Sequence, residues 1–182
     1  MKIYKSLFHS PLLTLGLFLG LFTAFSPMAM ALTALYQLPS NLATEAAIEA
    51  VESCKKDGYN VTATVVNFEG NTQVIIRGDG ATPHTLPNSF NKAFTVITLA
   101  PITKVDSSEE IAKKMTPAPL PVGSLPLAPE PLKGISFSTG GVAIKVGDQI
   151  VGAIGVSGSP GGGLDQACAI RGIEKIKPRL VP

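Results

Sequence analysis

One imidazole carries most of the chemical potential of this sequence. There are two histidines: His9 lies in a segment that reads as a removable leader, and His84 stands in the stretch RGDGATPHTLPNS, with Thr85 beside it and Asn88 close to a helix start. A neutral imidazole on such a loop serves as a helix-capping or surface residue, or as an axial ligand to haem iron. A lone imidazole leaves no His–His metal site within one chain, so ligation by two histidines would need two subunits. Serine-hydrolase chemistry would also have to use His84, and the G-x-S-x-G elbow is missing: in GVSGS, Ser157 is followed directly by Gly158. The other side chains able to reach iron, Tyr36, Tyr59, Met115, a lysine or a cysteine, sit in no telling motif.

The second candidate is GVSGSPGGGLDQACA, residues 155–169. A phosphate-cradling P-loop needs Lys and Ser/Thr after its last glycine, whereas Gly163 is followed by Leu164 and Asp165. A dinucleotide fingerprint opens a βαβ unit, and this stretch closes the chain. Asp165 is placed to cap the last helix with its carboxylate, filling the positive end of the helix dipole. The glycines then permit positive φ angles and close approach of backbone.

Cys54 and Cys168 are the two cysteines. Both occupy apolar helical positions, a pattern that suits a disulfide in an oxidising compartment and suits two buried thiols equally well. Lys2 and Lys5, the uncharged apolar run Leu12–Phe25, a break at Ser26-Pro27 and the small-x-small triplet Ala29-Met30-Ala31 read as a signal peptide at residues 1–31, followed by a single domain at 32–182. The apolar run is short for a bilayer, which takes roughly 20 residues. Export predicts a periplasmic or secreted protein with no stable membrane span. The chain has 15 Lys+Arg against 13 Asp+Glu, and losing the two leader lysines balances them, so no basic patch argues for nucleic acid.

The elements that must position His84 follow from periodicity. LPSNLATEAAIEAVESCKKDGYN reads as a helix capped by Ser40 or Asn41, with Leu42, Ala46, Ala47, Ala50, Val51 and Cys54 on one stripe and Gly58 at its end. YNVTATVVN and TQVIIRG form a hairpin. A helix starts near Pro87-Asn88, buries Ala93, Phe94, Val96, Ile97 and Ala100, and stops at Pro101; SSEEIAKKM is a shorter helix capped by Ser107 or Ser108. Residues 117–131 carry six prolines and four apolar side chains, an extended segment lying on the domain or on a neighbour. GISFS, GVAIKV and QIVGAIGVS are three strands, with Gly147-Asp148 as a tight turn, and DQACAIRGIEKI is the final helix. The order α, β, β, α, α, β, β, β, α predicts an α+β fold with an antiparallel sheet and segregated helices.

The stretches GDGATPHTLPNSFNKAFTVIT and STGGVAIKVGDQIVGAIGVSGSPGGGLDQACAIRGI, behind a helix and a hairpin, resemble the GlcG/HbpS family, which includes the C-terminal domain of PduO-type proteins. The resemblance covers about residues 38–176. It implies a five-stranded antiparallel sheet with flanking helices, profilin-like, that forms homo-oligomers and binds haem, in some members with haem degradation or with a sensor-kinase partner. The D-G-A-x-x-H-T match carries the candidate metal ligand onto His84 and the pocket wall onto Thr85. Phe90 and Phe94 are candidates for an apolar wall, and Lys92 and Arg77 for pairing with a haem propionate. The leading expectation is an exported haem- or tetrapyrrole-binding protein with a sensor or envelope partner. The alternative is a cofactor-free oligomeric interaction module of the cell envelope. Whether the chain is an enzyme stays open: haem degradation needs a reductant, and no proton donor stands out.

Overall fold

The structure is a computed structural model that describes residues 35–115 and 132–181. The leader expected at 1–31 and the Pro-rich stretch 117–131 lie outside the described residues. Helix α1 spans Ser40–Lys56, strands β1 and β2 Thr62–Asn67 and Thr72–Arg77, helices α2 and α3 Thr85–Thr103 and Ser108–Met115, strands β3 and β4 Gly141–Val146 and Gln149–Ser157, and helix α4 Gly162–Ile176. The sheet runs β2-β1-β4-β3 with every pair antiparallel. Helices α1 and α4 pack together on one face, and α2 with α3 covers the other.

This is an α+β fold, with four strands among the described residues rather than five. GISFS does not join the sheet because its backbone groups are taken by helix side chains. The Ser136 N–H donates to Thr95 Oγ1 at 2.7 Å, and the Ser138 carbonyl accepts from Ser108 Oγ at 2.9 Å. The outer edge of β3 is filled as well: Ala143 N–H donates to Asp106 O at 2.8 Å, and Ser107 bridges to Val142.

The α1 stripe is buried as its spacing predicts. The helix starts without a side-chain cap, because Pro39 rather than Ser40 or Asn41 holds the N-cap position. It ends in a Schellman turn, Gly58 N–H to Lys55 O at 3.0 Å and Tyr59 N–H to Cys54 O at 2.9 Å. Cys54 and Cys168 form a disulfide between α1 and α4, with Cα atoms 5.6 Å apart and both residues buried. Helix α2 passes Pro101 by two residues and closes on Lys104 in the left-handed region, whose N–H reaches Ala100 O. The proline sits in the last turn, where its missing N–H deprives only one carbonyl. At α3, Ser107 caps the helix: its Oγ accepts from Glu110 N–H and donates to Glu110 Oε2. Among the described residues no helix is long and apolar enough to cross a membrane.

Strand β1 is buried on both faces. Val61, Ala63 and Val65 enter the core under α1 and α4, while Thr62 and Thr64 face α2. There Thr62 Oγ1 lies 2.7 Å from Thr85 Oγ1, and Thr64 Oγ1 lies 2.7 Å from Ser89 Oγ. Beside them α2 lies on the backbone of β4: a Cβ at Gly155 would stand 2.1 Å from Ser89 O. Only glycine permits that approach.

Candidate functional site

The end of the sheet where β4 runs out is the place where α2 starts, α4 starts and the 138–140 segment passes. Between them lies a cleft of about 490 Å³, lined by His84 and Asn88 from the start of α2, Ser138 and Thr139, the turn from Ser157 to Gly162, and, on its floor, Lys92 and Asp165. Apart from the His84 imidazole and the charges on the floor, the lining is hydroxyl, amide, proline and glycine, with no Phe, Tyr or large aliphatic side chain. Gly158, with φ of 140°, makes the turn that carries the chain from β4 towards α4.

The floor is an ion pair sealed from water. Lys92 is 2% exposed and Asp165 is 3% exposed. Lys92 Nζ donates to Asp165 Oδ2 at 2.7 Å and to Val156 O at 2.9 Å. The other carboxylate oxygen accepts from Ser159 N–H at 3.0 Å and Ser159 Oγ at 2.7 Å. Every strong partner of both charges is therefore protein, which is the condition under which a buried pair is tolerated. Asn88 Nδ2 donates to Ser157 Oγ at 2.8 Å, closing the wall between α2 and β4.

His84 is the N-cap residue of α2 and makes no capping bond with its side chain. It is exposed, lines the cleft, and its Nδ1 lies 3.1 Å from Thr82 Oγ1. Thr85 is fully buried behind it, joining β1 to the loop. The other expected site residues divide. Lys92 is in the cleft but is occupied by Asp165. Arg77 turns back on its own loop, donating through Nε and Nη2 to Ala81 O at 3.0 and 2.5 Å. Phe90 and Phe94 stack on each other with centroids 5.4 Å apart and pack against the core under α2, outside the cleft lining. Asp165, expected as the cap of α4, lies in its first turn instead, behind an N-cap at Gly161.

Sequence reasoning did not find Asn88, Ser138, Thr139, Ser157 and Ser159 as site residues. Serines and threonines next to glycines read as ordinary turns, and only the fold brings three separate stretches to one end of the sheet. Among the described residues no group of three or more His, Cys, Asp or Glu forms a metal cluster.

The comparisons with known proteins converge on one family. A family model described as "Haem degrading protein HbpS-like" matches residues 38–174. Among solved structures, the chain is similar to a crystal structure of HbpS at 36% identity and TM-score 0.64, covering 80% of this chain and 94% of that one. A double mutant of Streptomyces reticuli HbpS is similar at 36% identity and TM-score 0.64, covering 84% and 98%. More distant is the PduOC–haem complex, at 20% identity and TM-score 0.63 over 76% and 94% of the two chains, a likeness of fold. Among curated proteins, none matches the chain.

Proposed function

The chain belongs to the HbpS-like family, and from that premise we propose that it is an exported, oligomeric haem-binding protein in which His84 is the iron ligand. The observation that carries the reading is the placement of His84, exposed at the cleft with Nδ1 next to a threonine hydroxyl. A ligating imidazole needs one nitrogen free and the other hydrogen-bonded, and this geometry supplies both. The bound group would bring a redox-active iron to the cleft.

The donor set fits the iron and the polar rim of a haem. Ser138, Thr139, Ser157 and Asn88 offer hydroxyl and amide donors to carboxylates, while Lys92 and Ser159 stay with Asp165. The macrocycle's apolar faces need more than this lining gives. Phe137 and Leu164, both exposed, neighbour the lining residues Ser138 and Asp165 in the chain, and a second copy facing the cleft would complete the apolar contact. Export is supported by the Cys54–Cys168 disulfide, a bond that persists in oxidising compartments.

Haemin titration tests the assignment. The wild type should shift the Soret band with a saturable endpoint, and His84→Ala should lose that shift while keeping its fold by circular dichroism. Equal spectra for the two proteins would reject His84 as the ligand.

A further inference from the structure

Helix α4 begins at the cleft without a cap. Its N-cap residue is Gly161, which has no side chain to offer, and among the described residues nothing accepts from the N–H groups of Gly162 and Gly163, the first two positions of the helix. Asp165, the acidic residue of that first turn, is turned elsewhere: Oδ2 accepts from Lys92, and Oδ1 accepts from both donors of Ser159. The side chains of the cleft repeat this surplus of donors. Lys92 Nζ has three protons and gives two, to Asp165 and to Val156 O. Ser157, 2% exposed, accepts from Asn88 Nδ2 and keeps its own proton. Thr139 lies against the start of α4, since a Cβ at Gly162 would stand 2.7 Å from Thr139 Cβ, and its hydroxyl has no partner among the described residues.

We propose that the cleft is a binding site for a small, singly charged carboxylate, whose oxygens accept from the start of α4, from Lys92 and from the hydroxyls of Ser157 and Thr139. This goes beyond the haem reading and calls on neither iron nor a second copy. An ionised carboxylate is purely an acceptor, so it is the complement of a lining whose unspent groups are donors. Amides at a helix start favour negative charge, and a buried donor with no acceptor is costly until a ligand supplies one. Charge balance decides how much negative charge fits. Lys92 is offset by Asp165 at 2.7 Å, which leaves the cleft with oriented dipoles and no net positive charge, and a dianion would meet the Asp165 carboxylate with nothing to compensate the repulsion. The volume of about 490 Å³ falls in the small-molecule range of roughly 300–1,000 Å³. The absence of Phe, Tyr and large aliphatic side chains from the lining calls for a ligand that is polar beyond its carboxylate too.

The test is an NMR titration of the haem-free, nitrogen-labelled protein with sodium acetate, a minimal carboxylate, at an ionic strength held constant with sodium chloride. The backbone amide signals of Ser157, Gly161, Gly162 and Gly163 should move to a saturating endpoint. Sodium sulfate, a dianion, should bind at least about tenfold more weakly, the effect of the uncompensated Asp165 charge. Thr139→Val keeps the shape and removes one hydroxyl, and Ser157→Ala removes the other. Each should weaken acetate about tenfold, the loss expected for one hydrogen bond to a charged group, with the fold intact by circular dichroism. No saturable shift in the wild type overturns the proposal, as does an unchanged acetate affinity in both variants; tighter binding of sulfate overturns the choice of a single charge. The outcome is separable from that of the haemin titration. A protein that takes acetate and no haemin keeps this site and loses the haem reading, and one that takes haemin and no acetate does the reverse.

Discussion

Towards α1 and α4 the sheet presents Val61, Ala63, Val65, Ile154 and Val156, buried among the alanines of α1 and stapled by the disulfide. Towards α2 it presents Thr62, Thr64, Gly155 and Ser157, which meet the helix through hydroxyl pairs, a hydrogen bond from the Asn88 amide and direct backbone contact. Apolar burial is non-directional and tolerates a small slide of one surface over another. Short hydroxyl contacts fix both direction and distance. The start of α2, which presents His84, is therefore set down on directional bonds, while its later turns pack on the apolar cluster of Val66, Ala143 and Ala153. The helices α1 and α4 rest on hydrophobic area, and the start of α4 adds Asp165 to the floor of the cleft.

The sharpest way to break this division is at the floor of the cleft. Lys92→Met keeps most of the side-chain volume and removes the charge, leaving Asp165 buried with Ser159 as its remaining partner. Loss of one member of a sealed pair costs about 3–5 kcal/mol. Denaturant unfolding should show that loss, with Asp165→Asn of similar size. A change under about 1 kcal/mol, the scale of an exposed pair, would mean that water reaches the pair and that the two faces are less distinct than their burial indicates.

The apolar face was legible in the sequence and the hydroxyl face was not, for a physical reason. Leu42, Ala46, Ala47, Ala50, Val51 and Cys54 announce a buried stripe because burial selects residue type at a fixed period. Thr62 and Thr64 alternate with valines as the outer face of a half-buried strand would, yet both are fully buried, because their hydroxyls are satisfied by Thr85 and Ser89, more than twenty residues away. The same holds for the site. His84 stood out by its rarity and its loop, and it does reach the cleft. Lys92 and Asp165 were each noticed, but a pairing 73 residues apart in the chain has no local signature. Phe90 and Phe94, expected as an apolar wall, lie outside the cleft lining for the opposite reason: large apolar residues at helical spacing are drawn to the nearest core, here the one under α2.

The disulfide sharpens the comparison from the other side. Both sulfurs lie in the core between α1 and α4 and neither cysteine lines the cleft. The Cys54→Ala/Cys168→Ala double variant should lose about 2–4 kcal/mol of stability, read from its unfolding midpoint. The His84 nitrogen spectrum should remain that of the wild type. A perturbed imidazole in the double variant would show that the apolar face also positions the site.

The smallest effect concerns a single hydroxyl pair, and its direction can be deduced. Ser89 Oγ donates to Leu86 O at 3.0 Å, so its proton is spent and Thr64 must be the donor in the 2.7 Å contact between them. The two deletions are then unequal. Thr64→Val removes the donor and leaves Ser89 with its bond to Leu86 intact, a loss of about 1 kcal/mol for one hydrogen bond. Ser89→Ala leaves the Thr64 hydroxyl buried without an acceptor, and an unsatisfied donor costs about 1–3 kcal/mol. Adding Thr64→Val to Ser89→Ala removes that orphaned donor, so the double variant should be no less stable than Ser89→Ala alone. Additive losses across the cycle would show that the two side chains do not interact, and α2 would then rest on this face by shape instead of by directed bonds.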